Sequence, residues 1–305
     1  MRSGGSLRVD AQVENRAAAL DFASDRRHTG CWRKLSHPNS KGQGVDTIKQ
    51  RLGRGEVLMV AASGRIVHHN LLQMIGIHGG FQAVWFDLEH MDFNTERLEI
   101  GTLACRSQGM DSFVRLAPTD YASVTRALEA GAGGVMAAQV RSAAEAEEIV
   151  KWAKFHPRGC RGLNTAGWDA QFATIPPAKF AEKANRESFV AIQIETAEAL
   201  DDCERIAAID GVDLLFLGPA DMSQNLGVIG DFLNAKCLAA IDRIAAACAA
   251  HKKPWGVVPI SPDYATMCVE KGCRMLSVGA DVRIINLGIE SVKQSYARFF
   301  GAAGK

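Results

Sequence analysis

The sequence predicts an α/β fold, a (β/α)8 TIM barrel. Three observations carry that reading. Eight short apolar runs recur from residue 57 onward, capped helix signals lie between them, and polar residues gather where the runs end. The runs are 57–61, 83–87, 112–116, 134–138, 189–194, 212–217, 255–259 and 275–278. Several are apolar on both faces, as parallel strands covered by helices require.

The helices between them announce themselves by their starts. Ser142-Ala-Ala-Glu145 is a capping box opening a helix whose Ala146, Ile149, Val150 and Ala153 share one face. Ser261-Pro262 places a hydroxyl at the N-cap and proline at the first helical position. The stretch 158–172, rich in glycine, is too long for a plain connection; it predicts either a loop over the active face or a loose surface insertion. Residues 1–44 are rich in Gly, Ser, Arg and Asn, with one helix-like stretch at 15–22. They read as a weakly ordered basic N-terminal extension, and residues 45–305 as the barrel domain.

Composition narrows the class. With 305 residues, 47% of them hydrophobic, the chain can bury a full core, and a barrel uses about 250 residues as one domain. The net charge of +1 argues against nucleic acid or a membrane surface as partner. What basic excess there is sits in the head: residues 1–45 carry eight Lys/Arg against four Asp/Glu. The eight cysteines include no Cys-x-x-Cys pair, which fits reduced thiols in a cytoplasmic enzyme rather than a disulfide framework or zinc site. No apolar run approaches the ~18 residues of a membrane span, and the N-terminus lacks the apolar core of a signal peptide.

In such a barrel the working residues come from the C-terminal ends of the strands. Two acids stand there on consecutive strands, Glu195 after 189–194 and Asp221 in the Gly218-Pro219-Ala220-Asp221 turn after 212–217. A lone acid in this position is an ordinary helix N-terminal residue. Two at neighbouring strand ends point to an oxygen-ligand cation site suited to Mg²⁺ or Mn²⁺, with Co²⁺ as a substitute. His90 follows Asp87 by three residues, so the carboxylate could hold the imidazole as a His-Asp dyad that moves one proton. Arg115 ends the third run, where an inward guanidinium needs an anion: a substrate carboxylate, an enolate oxygen, or an ion pair with Glu89 or Glu195. Gly131-Ala-Gly-Gly134 follows a helix and precedes a strand, the wrong order for a dinucleotide loop.

At these residues the chain resembles the HpcH/HpaI aldolase family over roughly residues 46–300. The resemblance rests on Phe86-Asp-Leu-Glu-His90, Ala130-Gly-Ala-Gly-Gly-Val-Met136, Arg158-Gly-Cys-Arg-Gly162, Gln193-Ile-Glu-Thr196, Gly218-Pro-Ala-Asp221 and Val278-Gly-Ala-Asp281. It implies a barrel of the phosphoenolpyruvate/pyruvate type and a divalent-metal (class II) pyruvate aldolase that cleaves or forms 4-hydroxy-2-oxo acids. Glu195 and Asp221 would ligate the metal. The amides of Ala220 and Asp221 in the Gly218-Pro219 turn would hold the pyruvate carboxylate, with Gln193 nearby. Arg115 would stabilise the enolate, and His90 with Asp87 would manage the proton of the aldol hydroxyl.

Partners implied are a small 2-oxo acid and an aldehyde, together with copies of the chain itself in a homohexamer built as a trimer of dimers, residues 289–300 packing on a neighbour. Two positions depart from the family pattern, Leu88 where glycine is common and Glu129 where an Asp can reach a neighbouring subunit's site. Both bear on aldehyde specificity rather than on reaction class. The rival enzyme is a CoA-thioester lyase of the citrate or malyl type, for which the barrel shows no basic cluster suited to a nucleotide carrier. The rival outside catalysis is a barrel retained for binding.

Overall fold

The computed structural model describes residues 45–118 and 120–301; the N-terminal extension and its helix-like stretch lie outside them. Within them the elements alternate: α1 (Ile48–Gly53), β1 (Leu58–Ser63), α2 (His69–His78), β2 (Ala83–Asp87), α3 (Thr95–Ser107), β3 (Asp111–Leu116), α4 (Tyr121–Glu129), β4 (Gly134–Ala137), α5 (Ala143–Ala153), α6 (Pro177–Glu187) and β5 (Phe189–Ile194). The second half continues with α7 (Ala197–Asp201), α8 (Cys203–Ala208), β6 (Leu214–Leu217), α9 (Pro219–Asn225), α10 (Ala235–Ala250), β7 (Trp255–Val257), α11 (Pro262–Glu270), β8 (Cys273–Ala280) and α12 (Asp281–Ser295). The strands close in sequence order into a barrel of eight parallel neighbours, β1 pairing with both β2 and β8. All eight apolar runs are strands. The ends differ: β6 begins at Leu214, and β8 runs on to Ala280.

Two apolar layers result from strand alternation. Inward residues Leu58, Val60, Trp85, Phe113, Met136, Phe189, Leu214, Phe216 and Met275 fill the barrel, with Trp85 edge-on to Phe113 and Phe216 at centroid distances of 6.3 and 5.5 Å. Outward residues such as Val84, Val114, Ile192 and Leu215 meet the helix faces. At the N-terminal mouth α1 acts as a plug. Its Ile48 joins the interior cluster, the Ile48 amide donates to Asp111 Oδ2 at 2.8 Å, and Lys49 pairs with Asp213 at 2.9 Å. The caps act as expected: Ser142 Oγ accepts from the Glu145 amide, and Ser261 Oγ from that of Tyr264.

The stretch 158–172 is neither a cover over its own strand ends nor loose. It leads from α5 toward β5, and its short 3-10 turn, Trp168–Ala170, packs against α4 and α6. Two arginines fix it there. Arg161 pairs with Asp169 and lies over the rings of Phe155 and Phe180, and Arg106 stacks on Trp168 at 4.2 Å. Among the described residues, seven cysteines are free thiols, six of them buried, and no helix is long and apolar enough to cross a membrane.

Candidate active site

At the C-terminal end of the barrel the inward positions change from apolar to polar in a step of two. Trp85 is followed inward by Asp87, Phe113 by Arg115, Ala191 by Gln193 and then Glu195, and Phe216 by Gly218. The β2–β3 register that sets Trp85 opposite Phe113 also sets Asp87 opposite Arg115. Their pairing is therefore dictated by the sheet.

Arg115 is the hub. Its Nε and Nη2 donate to Asp87 Oδ1 and Oδ2 at 3.1 and 2.7 Å, and its Nη1 lies 3.1 Å from Glu89 Oε2. The guanidinium carbon stands 4.7 Å from the centre of the Trp85 ring. Of its five N–H groups, two are spent on Asp87, Nη1 stands at ion-pair distance from Glu89 without a hydrogen bond to it, and the others stay available to a ligand. Burial pushes the Asp87 carboxyl up, but the hydrogen bonds and charge of Arg115 outweigh it and hold that carboxyl below the usual range.

Glu195 is fully buried. Its Oε1 accepts from the Gln139 amide at 2.8 Å and from Gln139 Nε2 at 3.1 Å, while Oε2 accepts from Gln193 Nε2. Burial, reinforced by the charges of Glu89 and Asp221, pushes its pKa up to about 7. Half-buried Asp221 lies in the first turn of α9 and has no ion-pair partner among the described residues. Asn225 ties the turn to β5 by donating to the backbone oxygens of Glu195 and Asp221 at 3.1 and 3.0 Å. Gly218 is required where it is: a Cβ there would stand 2.6 Å from Glu195 Oε2 and 2.7 Å from Gln193 Nε2. Pro219 opens α9 beside it, and Ala220 is exposed.

His90 and Asp87 do not form the expected dyad. Both Asp87 oxygens serve Arg115, and Oδ1 also accepts the backbone amides of Glu89 and His90 at 3.1 and 3.4 Å. The imidazole is 59% exposed, and the carboxylate near it is Glu89, with Oε2 3.8 Å from Nε2. The ion pair of Arg115 with Glu89, one of the partners the sequence left open, is present. Gln139 was not read from the sequence. It follows β4 by two residues with φ 57, a left-handed conformation that turns its amide toward Glu195. A polar residue just past the fourth strand was the available signal.

The site thus gathers four carboxylates (Asp87, Glu89, Glu195, Asp221) around one guanidinium, Arg115. Two buried oxygens in it, Glu89 Oε2 and Gln193 Oε1, have no hydrogen-bond donor among the described residues. An excess of buried negative charge with oxygen-only donors calls for a cation.

Known proteins resemble this chain in sequence and fold. The HpcH/HpaI aldolase/citrate lyase family profile matches residues 68–286. A pyruvate aldolase of Rhizobium etli is 29% identical over 218 residues, covering 72% of this chain and 85% of its own. A 2-dehydro-3,6-dideoxy-6-sulfogluconate aldolase of Pseudomonas putida is 32% identical over 208 residues, covering 68% and 81%. An HpcH/HpaI aldolase from Desulfitobacterium hafniense superimposes with a TM-score of 0.76 at 26% identity, over 81% of this chain and 96% of that one. With a (β/α)8 barrel whose strand ends carry this carboxylate and guanidinium cluster, the chain belongs to the HpcH/HpaI aldolase/citrate lyase family and is a carbon–carbon lyase.

Proposed function

We propose that this enzyme is a divalent-metal-dependent aldolase that cleaves or forms 4-hydroxy-2-oxo acids, with pyruvate as nucleophile and an aldehyde as acceptor. The observation that carries the reading is Glu195, a fully buried carboxylate raised to about 7, beside Asp221, which has no ion-pair partner among the described residues. Glu195 and Asp221 would hold Mg²⁺ or Mn²⁺, and Co²⁺ as a substitute. The donor set fits: Glu195 and Asp221 are oxygen donors just past the ends of the neighbouring strands β5 and β6, and a bound cation would offset the buried charge of Glu195. When bound, the cation supplies Lewis-acid stabilisation of negative charge on the 2-oxo acid.

The chain's own residues do the rest. In cleavage the C3–C4 bond breaks, the hydroxyl proton at C4 leaves to a base, and the electron pair becomes the enolate of pyruvate. His90 takes that proton. Its exposed ring at the edge of the site can pass the proton to water, and the Glu89 carboxylate stands 3.8 Å from its Nε2. Arg115 offers its spare N–H groups to the enolate oxygen, its plane fixed by Asp87 and by the Trp85 ring. Gln193 and the Gly218–Asp221 turn bind the 2-oxo acid, the bare Gly218 backbone letting Glu195 and Gln193 pack closely against the turn. Asp87 acts as a positioning residue for Arg115. In the cell we place the enzyme in the cytoplasm, as a homohexamer.

The named aldolase activities of the two relatives above support this reading over the CoA-thioester lyase that the family also embraces. A panel of 4-hydroxy-2-oxo acids, assayed for pyruvate release after chelation and after adding back Mg²⁺ or Mn²⁺, tests it. Metal-restored release is expected, and E195A and D221A should each lose more activity than the roughly 10–100-fold that removal of a supporting residue costs. Release that survives chelation, or acetyl-CoA as the product cleaved, would sink the proposal.

A further inference from the structure

A cleft of about 610 Å³ opens beside the site, between the connection from β2 to α3 and the side of α4. Glu89 and His90 line it from the β2–α3 connection, together with buried Phe93, and Leu98, also buried, lines it from α3; Ser123 and Arg126 line it from α4. Arg126 is its only Lys or Arg. That residue sits in the second turn of α4, and helical side chains lean toward the N-terminus of their helix. The guanidinium is therefore carried back toward the strand-end face, past Ser123, instead of down the barrel wall.

Its electrostatic situation differs from that of Arg115. Arg115 is ion-paired with Asp87 and Glu89, whereas Arg126 makes no ion pair among the described residues. The other charged groups facing the cleft are Glu89, already held by Arg115, His90, and the exposed Asp92. An exposed planar cation with no ion pair among the described residues, lining the same partly apolar cleft as the proposed proton-transfer residue, matches a ligand with a reacting head, a short methylene stem and an anionic tail.

We propose that Arg126 is a specificity-determining residue that binds a carboxylate at the end of the acceptor aldehyde remote from the reacting carbonyl. This rests on the aldolase reading above. Selection works by gain: a carboxylate receives a forked, charge-assisted pair of hydrogen bonds, and a methyl-ended acceptor of the same length forgoes them while the guanidinium stays hydrated.

The test is aldol addition of pyruvate, in the presence of Mg²⁺ or Mn²⁺, to acceptors matched in length: 5-oxopentanoate against pentanal, and 4-oxobutanoate against butanal. The readout is the ratio of kcat/KM for the charged over the neutral partner, in the full-length enzyme and in R126Q and R126K. Wild type should prefer a charged acceptor. R126Q should lower the ratio about ten- to hundredfold, the worth of one hydrogen bond to a charged group, chiefly through KM for the carboxylate. R126K should retain part of the preference. A ratio unmoved by R126Q, or equal loss on both acceptors, overturns the role of Arg126 and leaves the aldolase standing. Wild type that adds pyruvate to neither acceptor, and releases none from any 4-hydroxy-2-oxo acid, removes the aldolase reading and the inference with it.

Discussion

Arg115 and His90 lie close to each other and are expected to fail in different ways. Arg115 is buried, stacked and bidentate, so R115K keeps a charge but loses the planar fork. We expect kcat to fall on the order of 10²–10³-fold, the range seen when one donor to a developing oxyanion is lost, with circular dichroism unchanged. Both retro-aldol cleavage and oxaloacetate decarboxylation pass through the enolate, so both should fall together. His90 is exposed and stands outside the Arg115–Asp87 pair. Decarboxylation needs no base at a C4 hydroxyl, so H90A should slow cleavage far more than decarboxylation; equal loss in both would place His90 in binding or structure instead.

Glu195 carries a second consequence, for stability. Its carboxyl is raised from 4.5 to about 7 by burial and by the charges of Glu89 and Asp221. Between those values the folded, metal-free protein keeps a proton that the unfolded chain has released. Stability of the chelated enzyme therefore falls as pH rises through that window. E195Q removes the buried charge and, with its amide rotated, offers a donor to the orphan Gln193 Oε1. The chelated variant should melt above the chelated wild type at pH 8, and added Mn²⁺ should raise the wild type's Tm but not the variant's. A variant that melts lower at pH 8 contradicts this account.

At the scale of elements, the short α9 turn fits the site only because Gly218 has no side chain. A Cβ there would press on Glu195 Oε2 and Gln193 Nε2 at 2.6 and 2.7 Å. G218A is expected to stay folded, since overpacking costs about 1–3 kcal/mol, and to lose about a hundredfold in kcat/KM as the carboxylate is displaced. Near-normal activity would show that the turn gives way without cost. The same elements mark what could be read from the sequence. In a parallel barrel all strand ends fall on one face, so Asp87, Arg115, Glu195 and Asp221 were legible as neighbours. Which acid meets which base was not, because that depends on inter-strand register: Asp87 lies opposite Arg115 across the β2–β3 ladder, while its sequence neighbour His90 turns outward. Gln139 escaped because β4 reads apolar through Ala138 and a single uncharged amide after it is a weaker signal than a charge at a strand end. Helix α6 escaped because Phe180 is its single buried residue, too faint an apolar stripe to see.

At the scale of the whole molecule, the barrel's core is closed but one outer side is not. Met74 and Ile77 on α2, with Leu287, Ile289 and Val292 on α12, are each at least half exposed. Phe299 and Phe300 just beyond α12 are 69% and 56% exposed. An apolar groove of about 790 Å³ runs between the two helices. Helix α12 is pinned to the barrel at its start, where Asp281, its single buried residue, accepts the Gly64 and Ile66 amides at 2.8 and 2.7 Å; beyond Ile285 all its residues are exposed. Contiguous apolar surface of this kind on a globular chain marks an interface. We expect a homo-oligomer, a hexamer in the full assembly, with α12 and residues 289–300 against a neighbour. Light scattering at micromolar concentration should give a multiple of the 32.9 kDa chain. The double substitution L287E and V292E should lower that mass while circular dichroism still reports a folded barrel, because both side chains lie outside the core clusters. A monomeric mass for the unaltered protein would overturn the assembly and leave the barrel and its site as described.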